Sequence, residues 1–264
     1  MIRAAVMALA VVSWALPSQA ADIAANDLAP AGTLRAAFLA GNPVQGRADP
    51  ATGATSGPAP DLVRELARRA GVPFQIAPLP GVRAVIDSVK SGAADIGFIA
   101  FDPVRAAEVD FTQTYSLAHN TYLVRADSTI RAIADIDRPG IRIGVGQGDA
   151  GHLYLERNLK QAALKPNPGG PLTEALRQLA AGEIDAYAAN RQRLSEVAGP
   201  ASGTRMLAEN FLGVEQCIAV PKGNAARLAL LNRFIDEMRD SGFIQRAIDS
   251  AKLNGVDVAP KRAR

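Results

Sequence analysis

The sequence predicts an α/β protein built as two similar lobes, and three observations carry that expectation. Short β-branched or apolar runs alternate with amphipathic helical stretches, the pattern of βα units on a largely parallel sheet. Val85-Ile86-Asp87-Ser88-Val89-Lys90-Ser91-Gly92-Ala93-Ala94-Asp95-Ile96 matches Ala175-Leu176-Arg177-Gln178-Leu179-Ala180-Ala181-Gly182-Glu183-Ile184-Asp185-Ala186 without a gap. Each copy reads as an apolar helix face, a capping glycine, then an aspartate opening a strand. Leu34 to Gly41 echoes Ile141 to Gly148 in the same way. Chance likeness between generic βα units is the competing explanation of these repeats.

Leu34–Leu39, Pro73–Ala77, Asp95–Ala100, Ile141–Val145 and Ile184–Ala188 read as strands. Asp61–Ala70 reads as a helix with Asp61 as N-cap and Gly71 as C-cap, and Val82–Ser91 as a second helix stopped by Gly92. Later helices are expected over His152–Ala163, Leu172–Ala181, Ala225–Ser241 and Phe243–Lys252. Asn42–Pro60, rich in Gly, Pro, Ala and Thr, is a loop or irregular hairpin.

The first residues carry Arg3, an apolar run from Ala4 to Leu16 and a small-residue ending at Ala20, which together predict a signal peptide over residues 1–20 and a mature start at Ala21. That run is too short for a bilayer span, and nothing later approaches about 18 uninterrupted apolar residues. A lipid anchor would need cysteine after the cleavage point, and position 21 is alanine. Export as a soluble periplasmic product is therefore expected. The sole cysteine, Cys217, lies in an apolar strand-like run and reads as inert core, so no internal disulfide supports the fold. A balance of 29 basic to 26 acidic residues, scattered apart from the Lys261-Arg262-Ala263-Arg264 tail, argues against nucleic acid as a partner. His119 and His152 with one cysteine give no metal-ligand spacing, and no cofactor is expected.

In lobes of this kind, ligands gather outside the carboxyl ends of the strands, where helix N-termini offer unpaired N–H groups. Those ends are Phe98–Arg105, Gln147–Gly151 and Ala189–Arg191, and two lobes facing one another across them would make a cleft.

Several ordered blocks show a resemblance. They include Leu34-Arg35-Ala36-Ala37, Asp61-Leu62-Val63-Arg64-Glu65-Leu66-Ala67, Ser91-Gly92-Ala93-Ala94-Asp95, Gly182-Glu183-Ile184-Asp185-Ala186 and Val220-Pro221-Lys222-Gly223-Asn224. The most specific runs from Pro103-Val104-Arg105 through Val109-Asp110-Phe111-Thr112 to Tyr115. Together they resemble the bacterial extracellular solute-binding proteins of family 3, the amino-acid type, over nearly all of the mature chain. The resemblance implies a type II periplasmic-binding-protein fold with two mostly parallel sheets joined by crossing strands near Ser116–Leu123 and Leu212–Val220. Lobe 1 would comprise residues 22–117 with 222–264, and lobe 2 residues 118–221.

The family's ligand arginine falls on Arg105, whose planar fork of donors suits a carboxylate; the alternative is a surface arginine paired with Glu108 one turn away. Asp102 before Pro103 suits a helix N-cap. Where the family has Ser or Thr five residues before the arginine, this chain has Ala100, which leaves only a backbone N–H. Phe98, on the same strand face, would put an apolar ring at the cleft or pack in the core. Asp149 and Ala150 replace a Gly-Thr-Thr turn, and Asp149 is either an N-cap or a relocated counter-charge for a ligand cation. Asn190 stands where the family has the acid that receives an ammonium, and can also cap the helix through Leu194. Asn42 marks a position where the usual aromatic is not evident.

The expected role is capture of a small carboxylate or amino-acid-like ligand by a monomeric, non-enzymatic protein that delivers it to the membrane permease of an ABC importer. The alternatives are a periplasmic accessory or sensor protein on the same fold, or a dehydratase-like enzyme, since fold does not fix function.

Overall fold

A computed structural model describes residues 25–168 and 171–261. The expected leader, its cleavage point at Ala21 and the tail residues Arg262, Ala263 and Arg264 lie outside them. A turn of helix, α1 (Ala25–Leu28), precedes β1 (Leu34–Leu39). The 42–60 segment holds a minimal hairpin of β2 (Arg47–Ala48) and β3 (Thr55–Ser56). Helix α2 (Pro58–Ala70) starts three residues before the expected Asp61. Proline at the first helical position has the right φ and lacks an N–H that would be orphaned there, so Gly57 is the N-cap and Asp61 instead pairs with Arg64 at 2.8 Å. Gly71 ends the helix as expected, at φ 64°, with its N–H on the carbonyls of Ala67 and Arg68. Then come β4 (Phe74–Leu79), α3 (Val82–Lys90), β5 (Ile96–Ala100), α4 (Pro103–Ala106) and β6 (Asp110–Phe111).

The long strand β7 (Ser116–Arg125) carries the chain into a second α/β half. That half contains β8 (Arg142–Gly146), α5 (Ala150–Asn158), β9 (Ala163–Asn167), α6 (Leu172–Ala180), β10 (Ala186–Asn190), α7 (Arg191–Ser195) and β11 (Thr204–Met206). The helix expected over His152–Ala163 is thus shorter and shifted, and the strand after it was not expected. Strand β12 (Leu212–Val220) returns to the first half, where α8 (Ala225–Asp240), α9 (Phe243–Ser250) and β13 (Val256–Val258) complete it.

The main sheet runs β4-β1-β5-β12-β7-β10-β8-β9, which reads alike from both ends. Each end is a parallel trio, β4-β1-β5 and β9-β8-β10, and the antiparallel pair β7 and β12 joins them in the middle. The sequence repeat has a physical counterpart. Arg35 donates its backbone N–H, Nε and Nη2 to Asp95 at 2.7–3.1 Å, and Arg142 does the same to Asp185 at 2.8–3.0 Å. Each bidentate pair ties the start of a central strand to the start of its neighbour. Gly92 and Gly182, at φ 74° and 66°, end the preceding helices in the left-handed conformation that only glycine adopts without strain.

Each half buries its own apolar residues. The first packs Leu62, Leu66, Phe98, Tyr115, Phe234 and Ile235 on one face of its sheet, and the second packs Tyr122, Ile136, Ile143, Val145 and Leu155. At about 1.5–3 kcal/mol per fully buried large side chain, these two cores position the strand ends facing each other between them.

Candidate functional site

A cavity of about 70 Å³ lies between the halves, outside the carboxyl ends of β1, β5, β8 and β10. One water needs roughly 10–15 Å³ by this measure, so a short-chain molecule fits without the halves parting. Asn42, Gln45, Ala100 and Arg105 face it from the first half, and Asp149, Ala150, Gly151, Asn190 and Arg193 from the second. Its floor is the central strand pair, through Ala118 and Asn120 of β7 and Val214 and Gln216 of β12.

Arg105 is 5% exposed, and its fork spans the cleft. Nη1 donates to the Ala100 carbonyl and Nη2 to the Gly148 carbonyl across the gap, both at 2.8 Å. Burial holds its pKa below the usual arginine value, with Asp102 and Asp149 opposing the shift. The pairing with Glu108 does not occur, because Glu108 is taken by Arg83 at 2.7 Å and Lys90 at 2.6 Å. Asp102 caps α4 by accepting from the Val104 N–H at 2.9 Å. Its second oxygen also accepts from Arg157 of the opposite half at 2.9 Å.

Asp149 stands at the N-cap position of α5 but makes no side-chain cap bond. Its carboxylate lies 3.9 Å from Arg193. Crowding by protein atoms raises its pKa above the ordinary aspartate value, against the pull of Arg193, Arg105 and His152, although the side chain keeps 42% of its surface open. Asn190 does cap α7, accepting from the Arg193 N–H at 2.8 Å, and its amide donates to Asn42 across the cleft at 3.3 Å. Ala100 and Ala150 line the cavity. Phe98 does not: it is 1% exposed and packs edge-to-face on Tyr115 at 6.0 Å. It shares the strand face of Ala100 but sits one pleat deeper, so its ring fills the core beneath the site.

The structure adds polar residues that the sequence reasoning passed over. Asn120 and Gln216 are 5% and 2% exposed on the floor strands, Gln45 is 1% exposed beside β1, and Arg193 lies one turn after Asn190. A lone amide at the inward parity of an otherwise apolar strand was the available signal. His152 lies behind the turn, its Nδ1 accepting from the Gly148 N–H at 3.3 Å, and His119 pairs with Asp257 at 2.7 Å. No group of three or more His, Cys, Asp or Glu side chains that could hold a metal occurs among the described residues.

Two α/β halves, a pair of joining strands and a polar cavity between facing strand ends define the class of type II periplasmic binding proteins. The chain belongs to the bacterial extracellular solute-binding proteins, family 3, whose family model matches residues 35–250. Among solved structures, an ancestral arginine-binding protein bound to arginine is 26% identical at a TM-score of 0.69, covering 83% of this chain and 97% of its own. An ancestral amino-acid-binding protein described as a precursor of cyclohexadienyl dehydratase is 22% identical at 0.70, covering 86% and 97%. A binding component of an ABC transporter from Wolinella succinogenes complexed with lysine is 21% identical at 0.71, covering 83% and 95%. Among curated proteins, none matches the chain by sequence. Among the described residues, no helix is long and apolar enough to cross a membrane.

Proposed function

We propose that this protein is exported to the periplasm, captures a small α-amino acid or related carboxylate in the central cavity, and delivers it as a monomer to the membrane permease of an ABC importer. The observation that carries the reading is Arg105, a buried guanidinium placed in a cavity both halves build, beside the N-terminus of α5 and the Asp149 carboxylate. Arg105 and the Ala150 and Gly151 N–H groups would hold the ligand carboxylate, and Asp149, without a cap bond, would face its ammonium. Residues 22–117 with 222–264 form one lobe and 118–221 the other, closing about β7 and β12.

The enzyme reading draws on one observation, the raised pKa of Asp149 in a cleft. Among the described residues the cavity lining includes no histidine or cysteine, and the nearby His152 lies behind the turn with its Nδ1 taken by the Gly148 N–H, so capture without chemistry fits the lining better.

Calorimetric titration of one amino acid and its desamino analogue into wild type and Asp149→Asn tests the assignment. Removing the counter-charge should cost the amino acid about 1.5–3 kcal/mol, roughly 10- to 150-fold, and hardly touch the analogue. Equal losses for both ligands would remove Asp149 from the ammonium site. Recovery of a ligand chemically changed after incubation would replace capture with catalysis.

A further inference from the structure

The two helices of the second half that begin at the cavity, α5 and α7, are each pinned to the first half twice. Just before its N-cap, α5 is held by Arg105, whose Nη2 donates to the Gly148 carbonyl at 2.8 Å. In its last turn it is held by Asp102, which accepts from Arg157 Nη2 at 2.9 Å. Helix α7 is held at its N-cap, where the Asn190 amide donates to Asn42 at 3.3 Å, and at its C-cap, where Glu196 pairs with Arg47. Gln192 strengthens that second hold. Its Oε1 accepts from the Asn254 N–H of the first half at 2.6 Å, and its Nε2 donates to Glu196 at 3.3 Å.

The inner and outer contacts differ in kind. Arg105, Asn42 and Asn190 line the cavity, so a ligand can exchange its own groups for theirs. Asp102, Arg157, Arg47 and Glu196 lie outside that lining, so a ligand in the cavity neither makes nor replaces their bonds. Arg47 and Glu196 instead border a second space of about 300 Å³ between the halves, which shares Gly41 and Arg193 with the cavity and so forms an approach to it. An exposed ion pair alone contributes little. Asp102, however, is 4% exposed, and closing the halves buries its carboxylate whether or not Arg157 is there to meet it.

We propose that the outer ion pairs, Asp102 with Arg157 and Arg47 with Glu196, form a latch that closes the halves without help from ligand, so that capture waits for the latch to open. This rests on the capture reading above and adds what regulates that site. The kinetic consequence is specific. The pairs belong to the closed protein with or without ligand, so removing them weakens both closed states by the same factor. Where the empty protein is mostly closed, that factor cancels in the affinity, and association and dissociation quicken together. Where the empty protein is mostly open, only dissociation quickens and affinity falls by the whole factor.

The first test needs no ligand. Small-angle scattering of the exported chain, stripped by unfolding and refolding, should give the radius of gyration of this structure at low salt. The Arg157→Ala/Glu196→Ala double variant should shift to a larger one. Glu196→Arg, which sets a like charge against Arg47, should expand the protein as well, and adding Arg47→Glu should restore the compact form. An expanded wild type, a double variant as compact as wild type, or a charge swap that stays as expanded as its Glu196→Arg parent overturns the latch and leaves the capture reading in place. If the double variant does not fold, wild type and the charge swap decide. Stopped-flow titration with L-glutamine, L-lysine and L-arginine supplies the second test. For any of them that binds, both rate constants of the double variant should rise by a common factor of about three or more, the scale set by two partly exposed pairs, with Kd unchanged. Faster dissociation at an unchanged association rate overturns the proposal. If none of the three binds, the scattering decides alone.

Discussion

Replacing Arg105 with alanine should destabilise the unliganded protein as well as weaken its binding, because the guanidinium is a strut between the halves. It makes two charge-assisted bonds, to Ala100 and Gly148. Each is worth about 1.5–3 kcal/mol, roughly 3–6 kcal/mol together. Two effects reduce that. Burial already penalises the cation, as its lowered pKa records, and water can enter the vacated side of the cavity to meet the two carbonyls. A net loss of about 2–4 kcal/mol remains. For a chain of this size each kcal/mol moves the melting midpoint by about 2–4 °C, so Arg105→Ala should melt roughly 4–16 °C lower. Arg105→Lys, which keeps the charge but not the planar fork, should fall between. Differential scanning calorimetry of the three unliganded proteins measures this directly. An Arg105→Ala midpoint within about 1 °C of wild type would show that the bonds across the cleft carry no weight.

Three further outcomes follow from single observations. Burial raises the folded pKa of Asp149 above its unfolded value, so its ionised form costs stability at neutral pH and that cost disappears as pH falls below the ordinary aspartate range near about 4. Asp149→Asn should therefore melt higher than wild type at pH 7 with the gap closing by pH 4, and a gap independent of pH would refute the sign. Gly97→Ala on β5 would place a methyl 2.8 Å from both Val85 and Val89, an overpacking expected to cost about 1–3 kcal/mol in urea unfolding; a wild-type midpoint would mean that α3 shifts freely on its sheet. Cys217, 1% exposed, should resist a chromogenic thiol reagent in the folded protein and react once per chain in denaturant, and rapid labelling of the native state would contradict its burial.

Some of this was legible from residue order and some was not, for physical reasons. The duplicated scaffold showed because its demands are local: Arg35 with Asp95 and Arg142 with Asp185 recur at the same places in both repeats, each aspartate just beyond a helix-stopping glycine. Edge strand β9 was hidden because Ala163-Leu164-Lys165-Pro166-Asn167 is largely exposed and contains a proline, which only an edge tolerates. Parity puts Phe98 on the right strand face but fixes direction and not distance along the strand, so it leaves cleft and core both open, and the ring lies in the core rather than at the cleft. Gln45, Asn120 and Gln216 come from segments 75 and 96 residues apart in the chain, and only the β12–β7 register and the Gln45–Gln216 side-chain bond bring them to one cavity.

The same contrast separates what holds each half together from what distinguishes the two. Pairs such as Arg35–Asp95 and Arg142–Asp185 appear twice because each half must solve the same strand-joining problem alone. The cavity is lined by residues of both halves, and there the repeat breaks down. The gapless alignment sets Ala100 against Asn190 and Arg105 against Ser195. Ala100 contributes a carbonyl that orients the guanidinium, whereas Asn190 contributes an amide that caps α7 and reaches Asn42. Divergence between repeats that remain alike in their buttresses is what a site under separate functional demands should show. It locates that demand at the strand ends, independently of any likeness to other proteins.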